Sequence, residues 1–164
     1  MLLSEIIKIL EDWCPESDAE DFDNVGLLVG DQKSEIRKAI ITLDITVDVI
    51  DECISCESNL IISFHPLFII DPKTDTIDNR VNDLIIKCVN NDINVYCIHT
   101  NLDNNKDGTS YQLGKILKLK NQKILISYYG ISLIGMCSFG FMDKSMMDYD
   151  FISFLLEIFV LKYL

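Results

Sequence analysis

Three runs of β-branched and apolar residues constrain this chain more than anything else in it: KAIITLDIT (38–46), NLIISFHPLFII (59–70) and NVYCIHT (94–100). Each is continuously apolar over the length of a strand rather than alternating, which is the pattern of a strand covered on both faces. Between them the period changes. Val47, Ile50 and Ile54, with Cys53 beside them, share a helical face up to about Glu57, and Val81, Leu84, Ile85 and Cys88 share another in 81–91. Strand, helix, strand, helix, strand reads as an α/β fold, a three-layer α/β/α arrangement on a mostly parallel sheet.

The flanks extend this pattern. Leu3, Ile6, Ile7 and Leu10 make residues 2–10 an amphipathic helix with Ser4 as its cap, ended by Pro15 and the acidic stretch 16–23. VGLLVG (25–30) is a short strand between glycines, and 108–119 reads as a helix. Farther on, 123–129 and 131–139 look like strands and 149–164 like an apolar helix without a stop signal. That apolar end predicts a hydrophobic surface covered by self-association.

Charge limits the partners. Fourteen Lys and Arg against 26 Asp and Glu give a net charge of −12, a field that repels phosphate backbones and anionic lipid while concentrating cations. Neither nucleic acid nor membrane is therefore expected as a partner. The first ten residues carry Glu5 and Lys8 within their apolar pattern, unlike a secretory leader, and 151–164 is too short to span a bilayer, so a cytoplasmic chain is expected. Six cysteines (14, 53, 56, 88, 97, 137) fall mostly within apolar patterns and imply buried thiols rather than a disulfide framework. Cys53 and Cys56 form the one C-x-x-C, without the second pair of a zinc finger or the strand-to-helix turn of a thioredoxin-like site.

Ligands of open α/β sheets bind at the carboxyl ends of the strands. There this sequence places Asp44, then Ser63 and His65, then His99 with Asp103 four residues later in a loop. Imidazole and carboxylate are the donors that zinc, manganese and iron take, and these are the only two histidines in the chain. Bland readings stand beside that one. His65 can simply end a strand, His99 can be a hydrogen-bonded core histidine, and Asp44 can cap the helix that follows. Asp103 and its neighbours can be turn chemistry, with an Asp or Thr109 capping the next helix. Spacing alone does not choose between them. VGLLVG lacks the Lys-Ser/Thr of a phosphate loop, and no G-x-S-x-G elbow exists.

Four ordered strings, EDFDNVGLLVGD (20–31), TLDIT (42–46), NLIISFHPLF (59–68) and YCIHTNLD (96–103), closely resemble the GTP cyclohydrolase I type 2 homologue family, the Nif-three-like dinuclear metal proteins. Gly130 with Ile134 and Gly135 looks like a further strand of that family, so the resemblance covers about residues 1–140. It implies a divalent ion (zinc, manganese, iron or magnesium), a small substrate such as a nucleotide, and homo-oligomers, hexamers in the usual case. The family's Ser-His-His-Pro reads here Ser63-Phe64-His65-Pro66, so one histidine ligand is a phenylalanine. Metal ligands implied by matching positions are His65 and Asp103, with His99 as a supporting or proton-transfer group that Asp44 and Asn24 would orient.

The resemblance also implies a His-x-x-x-Glu pair near the family's C-terminus, and residues 1–164 are expected to stop before the place where it would occur. Residues 1–164 are thus expected to be a single N-terminal lobe, holding one ion in place of two. Two readings follow. One is a metal-dependent hydrolase whose ion activates water. The other is a non-catalytic metal-binding or protein-interaction scaffold, degenerate at the metal site.

Overall fold

The computed structural model describes residues 1–68, 79–105 and 107–118. Its helices are α1 (Leu3–Trp13), α2 (Val47–Ser55), α3 (Asn79–Asn90), a single turn α4 (Thr100–Asp103) and α5 (Thr109–Ile116). Its strands are β1 (Gly26–Val29), β2 (Ala39–Thr42), β3 (Leu60–Ser63) and β4 (Asn94–Cys97), and a 3-10 turn (Glu16–Asp18) follows α1. The elements expected at 123–129, 131–139 and 149–164, and Cys137, lie outside the described residues. Within them no helix is long and apolar enough to cross a membrane, and Cys14, Cys53, Cys56, Cys88 and Cys97 are free thiols.

The sheet order is β1-β4-β3-β2. β2 runs parallel to β3, with Ala39 opposite Leu60 and Thr42 opposite Ser63, and β3 runs parallel to β4, with Leu60 opposite Asn94 and Ser63 opposite Cys97. β1 lies antiparallel on the outer side of β4, Gly26 facing Cys97. A single reversed edge strand on a parallel sheet is a common departure. Here the chain reaches β1 through the 3-10 turn rather than through a crossover helix, so nothing forces the parallel sense.

The uninterrupted apolar character of β3 and β4 has a direct cause. Ile61 and Val95 enter a cluster with Ile50 and Cys53 of α2 and Leu84 and Cys88 of α3. Their neighbours Leu60 and Tyr96 enter a different one with Leu3, Cys14 and Ile36, against which Ile6, Ile7 and Leu10 of α1 pack. Successive residues of a strand point to opposite faces, so both sets must be apolar. Edge strand β2 is less covered, and Ile41 remains 82% exposed.

Two helix starts differ from the sequence expectation. Leu2, not Ser4, is the residue before α1, and its N–H is taken by the Glu5 carboxylate at 2.8 Å. Thr46, not Asp44, caps α2 by accepting the Val49 N–H at 3.2 Å. Thr46 is the last extended residue before the helix, where an oxygen can reach the third helical N–H.

At the amino end of the parallel strands a buried amide pair ties the loops down. Asn94 accepts from the Asp31 N–H and the Ser34 hydroxyl, both at 3.1 Å, and donates to the Asn59 carbonyl at 2.9 Å. Asn59 accepts the Arg37 N–H and donates to the Glu35 carbonyl, each at 2.9 Å. Gly30 is needed beside them: its φ is +118°, and a Cβ there would stand 2.0 Å from Asn94 Oδ1. Asn94→Ala removes three hydrogen bonds, those with the Asp31 N–H, the Ser34 hydroxyl and the Asn59 carbonyl, and is expected to cost about 2–3 kcal/mol in urea unfolding, whereas Ile41→Ser changes stability by less than about 0.5 kcal/mol.

Candidate functional site

The opposite end of the sheet collects the chemistry. Beyond β3, the Phe64 N–H binds the Thr42 carbonyl at 3.0 Å and the His65 N–H binds the Leu43 carbonyl at 2.8 Å, so the β2–β3 ladder continues into the segment carrying the histidine. Ile98 continues β4 against Ser63 in the same way, N–H to carbonyl at 2.9 Å, and delivers His99 beside them. The three rings meet. Phe64 lies 5.2 Å from the centroids of both His65 and His99, and the two imidazoles stand edge to face at 5.5 Å.

Each imidazole has its Nδ1 against a carboxylate. His65 Nδ1 is 2.7 Å from Asp44 Oδ1, a pair with side chains 45% and 60% exposed. His99 Nδ1 is 3.0 Å from both oxygens of Asp23, with the ring 18% exposed and the Asp23 side chain fully covered. Asp44 therefore orients His65 rather than His99, and the residue that orients His99 is one the sequence reading did not single out. Asn24 is also placed elsewhere: its side-chain amide donates to the Phe68 carbonyl at 3.3 Å and holds the segment after His65.

Asp23 is brought here because β1 is antiparallel. Its first residue, not its last, lies at this edge, so the segment preceding Gly26 arrives beside the end of β4. Burial alone would raise the Asp23 pKa. The hydrogen bonds from the Thr100 hydroxyl, His99 and the backbone N–H groups of Thr100 and Asn24 outweigh it and hold the carboxyl below its ordinary value. The signal available in the sequence was the string Asp23-Asn24 just before a strand-opening glycine, read there as part of an acidic connection.

Asp103 lies on the helical turn α4, not in a loop. Asn101 makes the turn possible, accepting the His99 N–H and donating to the Cys14 carbonyl, each at 2.9 Å, from a fully buried position. Thr109 does not cap α5. Its hydroxyl donates to Asp103, while Gly108 occupies the cap position. Desolvation raises the Asp103 pKa, partly offset by Thr109 and by the charges of His99 and His65. A half-buried carboxylate of this kind gains from a neighbouring cation. Beneath the rings, burial pushes the Cys97 thiol up to about 12, and it donates to the Phe64 carbonyl at 3.3 Å, a packing role rather than a nucleophile.

The donor set suits a divalent cation in kind. With Nδ1 engaged by carboxylate, each histidine keeps Nε2 for another partner, as ligating histidines do, and Asp103 adds an oxygen. In number it is sparse. Among the described residues no three His, Cys, Asp or Glu side chains converge closely enough to hold an ion.

Comparison with known proteins gives consistent results. The family model described as Duf34/NIF3 (NGG1p interacting factor 3) matches residues 1–163. A GTP cyclohydrolase 1 type 2 homolog of Clostridium acetobutylicum is 43% identical over 123 residues, 75% of this chain and 46% of the relative. One of Staphylococcus aureus is 39% identical over 125 residues, 76% of this chain and 34% of the relative. Among solved structures, a Bacillus cereus protein related to NIF3 superposes with TM-score 0.69 at 36% identity, covering 79% of this chain and 35% of that one. Reduced HcgD from Methanocaldococcus jannaschii gives 0.69 at 33%, covering 77% and 51%. The chain thus spans between about a third and a half of the length of the curated relatives it matches.

The lowered pKa of Asp23 fixes a pH dependence. Its contribution to stability is complete above the unfolded value of 3.8 and is lost as pH falls through the lower folded value. Asp23→Asn is expected to cost about 2 kcal/mol at neutral pH, with the gap in melting temperature between parent and variant closing below pH 3.8.

Proposed function

This chain belongs to the Duf34/NIF3 family, and on that premise we propose that it carries the amino-terminal half of a divalent-metal site in a hydrolase acting on a small, nucleotide-like substrate. The observation that supports the reading is the contact of the His65 and His99 rings at one end of the sheet, each with its Nδ1 against a carboxylate, with Asp103 near enough to feel the charge of both. His65 Nε2 and Asp103 would hold the ion. Once bound, it would lower the pKa of a coordinated water and supply a nucleophile near neutral pH.

The chain's own groups have separate tasks. Asp44 orients His65, and the Thr109 hydroxyl orients Asp103. His99 is the group able to accept a proton beside them. Phe64 packs against both imidazoles, which also contact each other, and gives the site an apolar wall that a nucleobase could lie against. The names of the relatives point to GTP as the substrate class. The reading places the protein in the cytoplasm as a homo-oligomer.

A second reading is favoured by Phe64 and by the absence of a three-donor group among the described residues: a scaffold that binds metal weakly or not at all. Two protein donors leave most coordination positions to water. Elemental analysis after mild chelation separates the two readings. About one ion per chain in the parent, and none in His65→Ala/Asp103→Ala, is the result expected of the metal site; a parent as metal-free as the double variant leaves the scaffold.

A further inference from the structure

The two carboxylate–histidine pairs are unequal, and the difference lies in what else each carboxylate touches. Asp44 is mostly exposed, so water competes for its oxygens. Asp23 is fully covered, and its partners are protein groups: the backbone N–H of Thr100 at 3.0 Å, the backbone N–H of Asn24 at 2.8 Å, the Thr100 hydroxyl, and His99 Nδ1. A backbone N–H can only donate. The Thr100 hydroxyl has one proton, and its oxygen already accepts the Glu20 N–H at 2.9 Å, which leaves that proton for Asp23. Asp23 thus acts as an acceptor at the three contacts other than the ring, and as a carboxylate it has no proton to offer His99.

We infer that Asp23 is the positioning residue for His99, fixing the neutral ring as the Nδ1–H tautomer so that Nε2 is its one acceptor, on the far side of the ring from Asp23. The sequence of bonds is Glu20 N–H to Thr100 Oγ1, Thr100 O–H to Asp23, and His99 Nδ1–H to Asp23. Thr100 directly follows His99 and opens α4, so the same carboxylate that sets the tautomer also anchors the turn carrying Asp103. His99 is thereby presented as an acceptor for a water or ligand hydroxyl. This use of the tautomer rests on the proposed site; the tautomer itself does not.

Asn in place of Asp23 gives a sharp consequence. The Thr100 N–H and hydroxyl both reach Oδ2 and retain the amide oxygen there, so the amide NH2 takes the place of Oδ1, against the Asn24 N–H. His99 Nδ1, 3.0 Å from both positions, then faces one acceptor and one donor in place of two acceptors, and the preference for Nδ1–H falls.

Long-range 1H–15N correlation spectra of 15N-histidine-labelled protein, taken well above the usual imidazole pKa of about 6.5, read the tautomers directly. In the parent, His99 is expected as Nδ1–H by at least about tenfold, with His65 as the more evenly mixed internal reference. Asp23→Asn lowers the His99 ratio toward an even mixture, and Thr100→Val, which removes only the hydroxyl donor, leaves it as Nδ1–H. A parent His99 that is evenly mixed or Nε2–H overturns the inference without any variant, as does an Asp23→Asn protein with an unchanged ratio. Zinc titration of the same samples separates this from the site reading. A ratio that falls in Asp23→Asn, with a parent that binds no zinc, upholds the positioning role and removes the metal site; zinc binding by the parent with a ratio unaltered by Asp23→Asn removes the positioning role and upholds the site.

Discussion

A carboxylate removed from water has to be surrounded by donors, and Asp23 is the residue around which the functional end of this molecule is arranged. Its donors come from the residue that follows it, from the end of β4 and from the first turn of α4. Meeting that requirement fixes where β1 enters the sheet, which way the His99 ring faces and where α4 begins. Asp103, three residues into that turn, takes its position from the same bonds.

The opposite end of the sheet obeys the same rule with neutral groups. Asn59 and Asn94 sit at the starts of β3 and β4, are almost wholly buried, and have both amide functions engaged with loop backbone. Between the two polar ends run four-residue strands whose alternate side chains enter separate apolar clusters. Buried strands in such a sheet are interchangeable in their apolar content. The polar groups at their ends are not, because each needs a particular partner.

Much of the parallel part of the fold was legible in the sequence. The runs at 38–46 and 59–64 and the strand at 94–97 could be placed from their unbroken apolar character, and α2 and α3 from their period; burial on two faces imposes that character on β3 and β4, whereas edge strand β2 carries it with Ile41 exposed. The sense of β1 was not legible, since a four-residue strand between two glycines carries no record of its direction. From that one reversal the site partners changed: the reading paired His99 with Asp44 and Asn24, while the structure gives it Asp23 and gives Asp44 to His65. Helix caps were misplaced by a residue or two for a related reason. Several Ser, Thr and Asp residues compete near each helix start, and only the chain path decides which oxygen reaches the free N–H groups.

The sequence by itself determined that two histidines and an aspartate lie at the carboxyl ends of adjacent strands, because strand ends are local features written in hydrophobic runs. It also determined the family, through four ordered strings that survive in an incomplete match. Only the tertiary structure decided which carboxylate serves which imidazole and that Phe64 packs against both rings. Those contacts join residues 21 and 76 positions apart, and a hydrogen bond over such separations depends on the direction of a strand and the start of a turn, neither of which leaves a periodic trace in the chain.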